Sequence, residues 1–186
     1  YNLAKLYRQL GQIDAALVIY GHVLSIDPLR FDALINMGNI LADMGRFVEA
    51  IEHFHKAVAT NTNLTRSYIN LGNTYRRMGL ANQAIEAYDH VPDVRGHNGL
   101  RIKRALTFPV IFESARHVHE WREELTRRVQ ELEGDTLSVN DPSLEASTTN
   151  FYLAYQNYND RDLQSAIARV HLKSCPRLGW TAPHCN

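Results

Sequence analysis

Residues of one kind return every 34 positions through the first half of this 186-residue chain. Gly11, Gly45 and Gly79 keep that step, as do Ala16, Ala50 and Ala84, and Tyr20, Phe54 and Tyr88. Asn2, Asn36 and Asn70 form a fourth column, and Tyr7, Leu41 and Tyr75 a fifth; Gly38 and Gly72 repeat as well, with the small Ala4 in their place in the first copy. A fixed period constrains a fold more tightly than composition does. Each copy is one supersecondary unit that buries its apolar face only against a neighbour. In the middle copy a first helix is predicted from about Phe31 to Met44, a left-handed turn at Gly45, and a second helix from about Phe47 to Thr60. Asp27-Pro28 marks the turn into it. Ala50 is expected to be small because the two helices cross there, and Phe54 to fill the gap to the next unit.

This pattern of small and aromatic positions resembles the tetratricopeptide repeat, in which paired antiparallel helices stack into an α-solenoid. Three copies are visible. The first lacks roughly its opening five positions, which predicts an apolar end and a parent protein that continues upstream. The resemblance puts the first helix of each pair on the concave side of the stack, and with it Asn2, Asn36 and Asn70, followed one turn later by Asn39 and Asn73. A side-chain amide both donates and accepts, so such a column can pair with the backbone of an extended peptide without regard to its side chains. These five asparagines are the candidate peptide-binding residues. A second reading stays open, in which they bridge or cap neighbouring helices.

After Tyr88 the step fails: Glu113 stands where a glycine would fall, and Asp93 to Gly99 is a polar break. Leu100 to Leu106 reads as a short helix ended ahead of Pro109. From about Glu113 to Leu132, Ala115, Val118, Trp121, Leu125, Val129 and Leu132 form one apolar stripe, predicted to pack on the last repeat, with Arg122, Glu123, Arg127 and Arg128 facing elsewhere. Gly134 to Ser143 is a loop by composition, with Asp141-Pro142 starting a brief helical turn. Phe151, Tyr152, Leu153, Ala154 and Tyr155 read as a buried segment. Asn159 or Asp160 then caps a helix carrying Leu163, Ile167, Val170 and Leu172 that ends near Cys175-Pro176. The domain reading is 1–92 repeats, 93–134 linker and amphipathic helices, and 135–186 the start of a further region.

Taken together, the repeats, Leu100-Arg101, Pro109-Val110-Ile111, Trp121-Arg122, the Phe151-to-Tyr155 block with Asn159-Asp160, and Cys175-Pro176 resemble the bacterial O-GlcNAc transferase-like (SPINDLY-like) protein glycosyltransferases. The resemblance implies an all-α solenoid followed by helices leading into a Rossmann-like catalytic region absent from this sequence. It implies sugar transfer from a nucleotide-sugar, typically UDP-GlcNAc, to Ser or Thr hydroxyls, with Asn36 and Asn70 threading the acceptor polypeptide. The catalytic residues and any cofactor site would lie beyond Asn186, so this chain alone is expected to be inactive. The alternative is a non-catalytic tetratricopeptide scaffold that grips a partner polypeptide.

Other chemistries find little footing. Twenty Lys and Arg balance twenty Asp and Glu, giving no net field to attract nucleic acid. The longest apolar run, Ala15 to Tyr20, is far short of the roughly 20 residues that span a bilayer. Cys175 and Cys185 make no disulfide framework, which points to the cytoplasm; no charged-then-apolar leader precedes Asn2, so a targeting segment is either absent or lost upstream. His53 with His55, and His117 with His119, sit about 200° apart on a helix and cannot share a metal. His184 beside Cys185 lacks an orienting third group, and Gly96 and Gly99 do not form a phosphate loop.

Overall fold

A computed structural model describes residues 2–141, 145–146, 153, 156 and 158–179. The chain divides into two compact units, Tyr1–Pro92 and Asp93–Asn186.

Six helices make the first unit: α1 (Asn2–Gln9), α2 (Ile13–Ile26), α3 (Phe31–Asp43), α4 (Phe47–Ala59), α5 (Leu64–Arg77) and α6 (Ala81–Asp89). Each packs on the helix before and after it in the chain, and α3 also meets α5. The odd-numbered helices are the first members of the three pairs, and the even-numbered ones the second.

Within each pair the turn has one design. Gly11, Gly45 and Gly79 have φ of 73°, 79° and 78°, the left-handed region that a side chain disfavours. In the middle pair the Gly45 amide donates to the Ala42 carbonyl at 3.0 Å and the Arg46 amide to the Leu41 carbonyl at 2.8 Å. Those two bonds close the end of α3 on its own last carbonyls, a Schellman turn. The same pair of bonds recurs at Gly11 and Gly79. The 34-residue glycine column therefore exists for a backbone reason.

The Gly38 column exists for a packing reason. A Cβ on Gly38 would stand 2.5 Å from the Phe54 ring, and one on Gly72 would stand 2.2 Å from the Tyr88 ring. Each aromatic ring thus packs directly against a glycine of its own pair, and Phe54 belongs to a cluster that runs on to Leu71 of the next. Phe54 seals its own pair first and the gap to the next unit second. Full burial of such a ring is worth about 1.5–3 kcal/mol. Tyr20 and Ala4, both fully buried, occupy the same two columns in the first pair. Ala16, Ala50 and Ala84 are completely enclosed, as the helix crossing demands.

The second unit contains α7 (Asn98–Ala105), α8 (Ala115–Gly134), α9 (Arg161–Ser174) and a 3₁₀ turn at Pro176–Gly179. The Ser114 hydroxyl accepts from the His117 amide at 3.1 Å and so caps α8. Ile102, Leu125, Val129, Leu132, Leu163, Ile167 and Val170 close a single core that also takes in Leu137, Val139 and Leu153. The stretches on either side of residue 134 therefore share one core. No strand occurs among the described residues.

Three sequence expectations are corrected here. Arg128 does not face outward: it is only 2% exposed, and its guanidinium donates to the carbonyls of Arg104 at 3.2 Å and Thr107 at 3.1 Å. The Arg104 carbonyl also accepts from the Thr107 amide at 3.1 Å, and Arg128 adds a charged donor at the negative end of the α7 dipole. Arg122 is likewise drawn in, donating to Gln156 Oε1 at 2.8 Å and Asp160 Oδ1 at 2.5 Å with its plane 4.6 Å from the Tyr158 ring centre. Leu172, in turn, is 46% exposed, because α9 buries Leu163, Ala166, Ile167, Val170 and Ser174 at three- and four-residue steps and residue 172 lies off that stripe. Asp160 spends its carboxylate on Arg122, and Asn159 accepts from the Arg161 amide at 3.1 Å instead. Of the Phe151-to-Tyr155 block only Leu153 is described, and it is buried; the other four residues, Pro142, Ser143, Trp180, Pro183, His184 and Cys185 lie outside the described residues.

Gly38→Ala is expected to lower stability by about 1–3 kcal/mol in urea denaturation, because the added methyl meets a ring that has nowhere to go. The sign is diagnostic, since glycine to alanine in an unhindered helix interior stabilises by about 1 kcal/mol. Adding Phe54→Leu to Gly38→Ala should recover part of the loss.

Candidate functional site

The first helices of the pairs, α1, α3 and α5, carry the candidate asparagines, and the repeat register stacks them. Two ion pairs follow the register: Arg66 with Asp32 at 3.6 Å and Arg77 with Asp43 at 3.4 Å, each joining α5 to α3 across one 34-residue step. Both are exposed and worth only a few tenths of a kcal/mol, yet they show which side chains of neighbouring pairs lie side by side.

The five asparagines do not share one environment. Asn2 is exposed. Asn36 is buried, 6% exposed, and its Oδ1 accepts from Arg8 Nη1 of α1 at 3.4 Å, so it bridges two first helices. Asn73 is half-buried and its Oδ1 accepts from the Tyr88 hydroxyl at 2.9 Å, tying α5 to α6. Burial also lifts the Tyr88 phenol to about 12 from its usual 10.0, against a smaller opposing effect of Arg76. Asn39 and Asn70 are half-buried. The Asn70 amide nitrogen is enclosed without a hydrogen-bond partner among the described residues. An enclosed unpaired donor is uncommon in a folded protein and calls for an explanation.

None of these asparagines lines the cleft of about 370 Å³ between α4, α5 and α6, which is walled by His55, Tyr68, Leu71, Tyr75, Glu86 and His90 among others. The Tyr68 and His90 rings stack 5.2 Å apart, and His55 Nε2 is 3.4 Å from the Tyr75 hydroxyl. Sequence reasoning missed this site. Tyr75 stood in a repeat column, but its neighbours Tyr68, Glu86 and His90 belong to no column. In the sequence His55 stands out only as half of a pair with His53, a half-buried residue whose Nδ1 is enclosed and whose pKa burial lowers.

No group of three His, Cys, Asp or Glu side chains able to hold a metal occurs among the described residues. None of the described helices is long and apolar enough to cross a membrane.

Comparison with known proteins agrees with the helix pairs. Tetratricopeptide-repeat family models match residues 1–28 and 29–95. The chain is a tetratricopeptide-repeat protein. Among solved structures, a crystal structure of MamA is similar with a TM-score of 0.64 at 16% identity, covering 97% of this chain and 99% of that one. A second MamA structure gives 0.58 at 17% identity, covering 97% and 93%. At such identities the likeness is one of fold.

Two substitutions in one column should separate the environments. Asn36→Ala is expected to destabilise by about 1 kcal/mol, since Arg8 loses its acceptor, whereas Asn70→Ala should leave the melting temperature nearly unchanged. Differential scanning calorimetry reads both. Tyr88 supplies an alkaline test. Its folded pKa lies above its unfolded one, so its contribution is whole below pH 10.0 and is lost as pH rises towards about 12. Tyr88→Phe should flatten that decline in urea midpoints measured across this window.

Proposed function

We propose that this chain is a non-catalytic scaffold whose repeats hold an extended segment of a partner polypeptide along α3 and α5. The observation that carries this reading is the register itself: Asp43 and Arg77, one 34-residue step apart, meet at 3.4 Å. Equivalent positions on successive first helices are therefore neighbours, and a periodic surface suits a periodic ligand. Packed helices lie about 8–10 Å apart, and an extended chain advances about 3.3–3.6 Å per residue, so one repeat faces about three residues of peptide. Asn39 and Asn70 are the half-buried amides left for that peptide, because Arg8 and Tyr88 already engage Asn36 and Asn73; the enclosed Asn70 nitrogen meets it once the side chain turns outward. Each bond is worth about 1 kcal/mol net, so affinity accrues by repetition.

The family match to residues 1–95 and the single helical core of the second unit support the scaffold. Sugar transfer from UDP-GlcNAc rests on the sequence resemblance alone.

The test is selection of unstructured peptides on the purified chain, with binding measured by calorimetry. Asn39→Ala combined with Asn70→Ala should weaken a selected peptide about tenfold at unchanged melting temperature. Failure to recover any peptide whose binding perturbs residues 2–92 would sink the scaffold, and transfer of labelled sugar from UDP-GlcNAc to a bound peptide would overturn its non-catalytic character.

A further inference from the structure

We infer that the cleft between α4, α5 and α6 receives a lysine or arginine side chain of a partner polypeptide; this rests on the scaffold reading above. Its volume, about 370 Å³, is at the small end of ligand pockets and suits one side chain rather than a whole cofactor. Four rings line it, Tyr68 with His90 and Tyr75 with His55, over a floor that includes Leu71. Aromatic faces carry partial negative charge and attract cations.

Charge points the same way. Among the lining residues only Glu86 is formally charged when the histidines are neutral, and no Lys or Arg lines the cleft. Asp32, Asp43 and Glu49 of the same unit are each paired with an arginine, whereas the Glu86 carboxylate has no ion-pair partner among the described residues. His90 Nδ1 lies 2.8 Å from the Glu86 backbone carbonyl, which can only accept, so Nδ1 carries a proton and, in the neutral ring, Nε2 is the acceptor. A cation entering the cleft thus meets a carboxylate, an imidazole acceptor and π faces. An anionic ligand would meet no donor of matching charge. With one carboxylate and two histidines already engaged by Glu86 and Tyr75, the cleft is not among the groups able to hold a metal.

The experiment is a titration of the isotope-labelled full chain, followed by amide chemical shifts, with capped Gly/Ser peptides carrying one central lysine, arginine, norleucine or glutamate. Lysine and arginine peptides should shift the amides of Tyr68, Tyr75, Glu86 and His90, and norleucine and glutamate peptides should not. Glu86→Gln, an exposed substitution, should weaken the lysine peptide about fivefold, and Tyr68→Leu should weaken it while preserving apolar volume. Equal shifts from norleucine, or an unchanged affinity in Glu86→Gln, would overturn the cation site. Peptides that perturb only α3 and α5 around Asn39 and Asn70 overturn the cleft but leave the scaffold standing, whereas no perturbation within residues 2–92 by these or the selected peptides overturns both.

Discussion

An aromatic ring packed on a small residue holds each helix pair together, a glycine in the second and third pairs and Ala4 in the first. In the second and third pairs Phe54 on Gly38 and Tyr88 on Gly72 set how closely the two helices approach, because a Cβ at either glycine would collide with the ring. A glycine in mid-helix costs about 1 kcal/mol relative to alanine. Burial of the whole ring more than offsets that cost. Once the spacing within a pair is fixed, the alanines at 16, 50 and 84 fall at the crossings, and the next pair has a defined surface to stack on. The ion pairs between α3 and α5 follow from this stacking and do not produce it.

The second unit is held by different means. Its apolar core joins α7, α8 and α9, but two arginines on α8 fix its details: Arg128 donates to the carbonyls of Arg104 and Thr107, at and just past the end of α7, and Arg122 clasps Gln156, Tyr158 and Asp160 ahead of α9. Both sit where a heptad-style reading assigns solvent. Removing a buried partner from such a network leaves an unpaired charge or carbonyl, which is why positions of this kind resist substitution more than their exposed look in sequence implies.

Function on a repeat surface depends on which polar groups the fold leaves uncommitted. The asparagine column looked uniform because every member stands at the same place in its copy. In space Asn36 is engaged by Arg8 and Asn73 by Tyr88, while the Asn70 amide nitrogen and the Glu86 carboxylate remain without such partners among the described residues.

From the order of residues alone came the helix pairs, their left-handed glycine turns and the need for small side chains at residues 38, 50 and 72, since each is a local or nearest-neighbour demand that recurs with the repeat. Helix ends within one or two residues of those observed were legible for the same reason. The individual fates of the asparagines, the burial of Arg128 and the meeting of Tyr68, His90, Tyr75 and His55 around one cleft were decided only by tertiary structure. Those depend on long side chains reaching across from other helices, and no period along the chain records where such a side chain comes to rest.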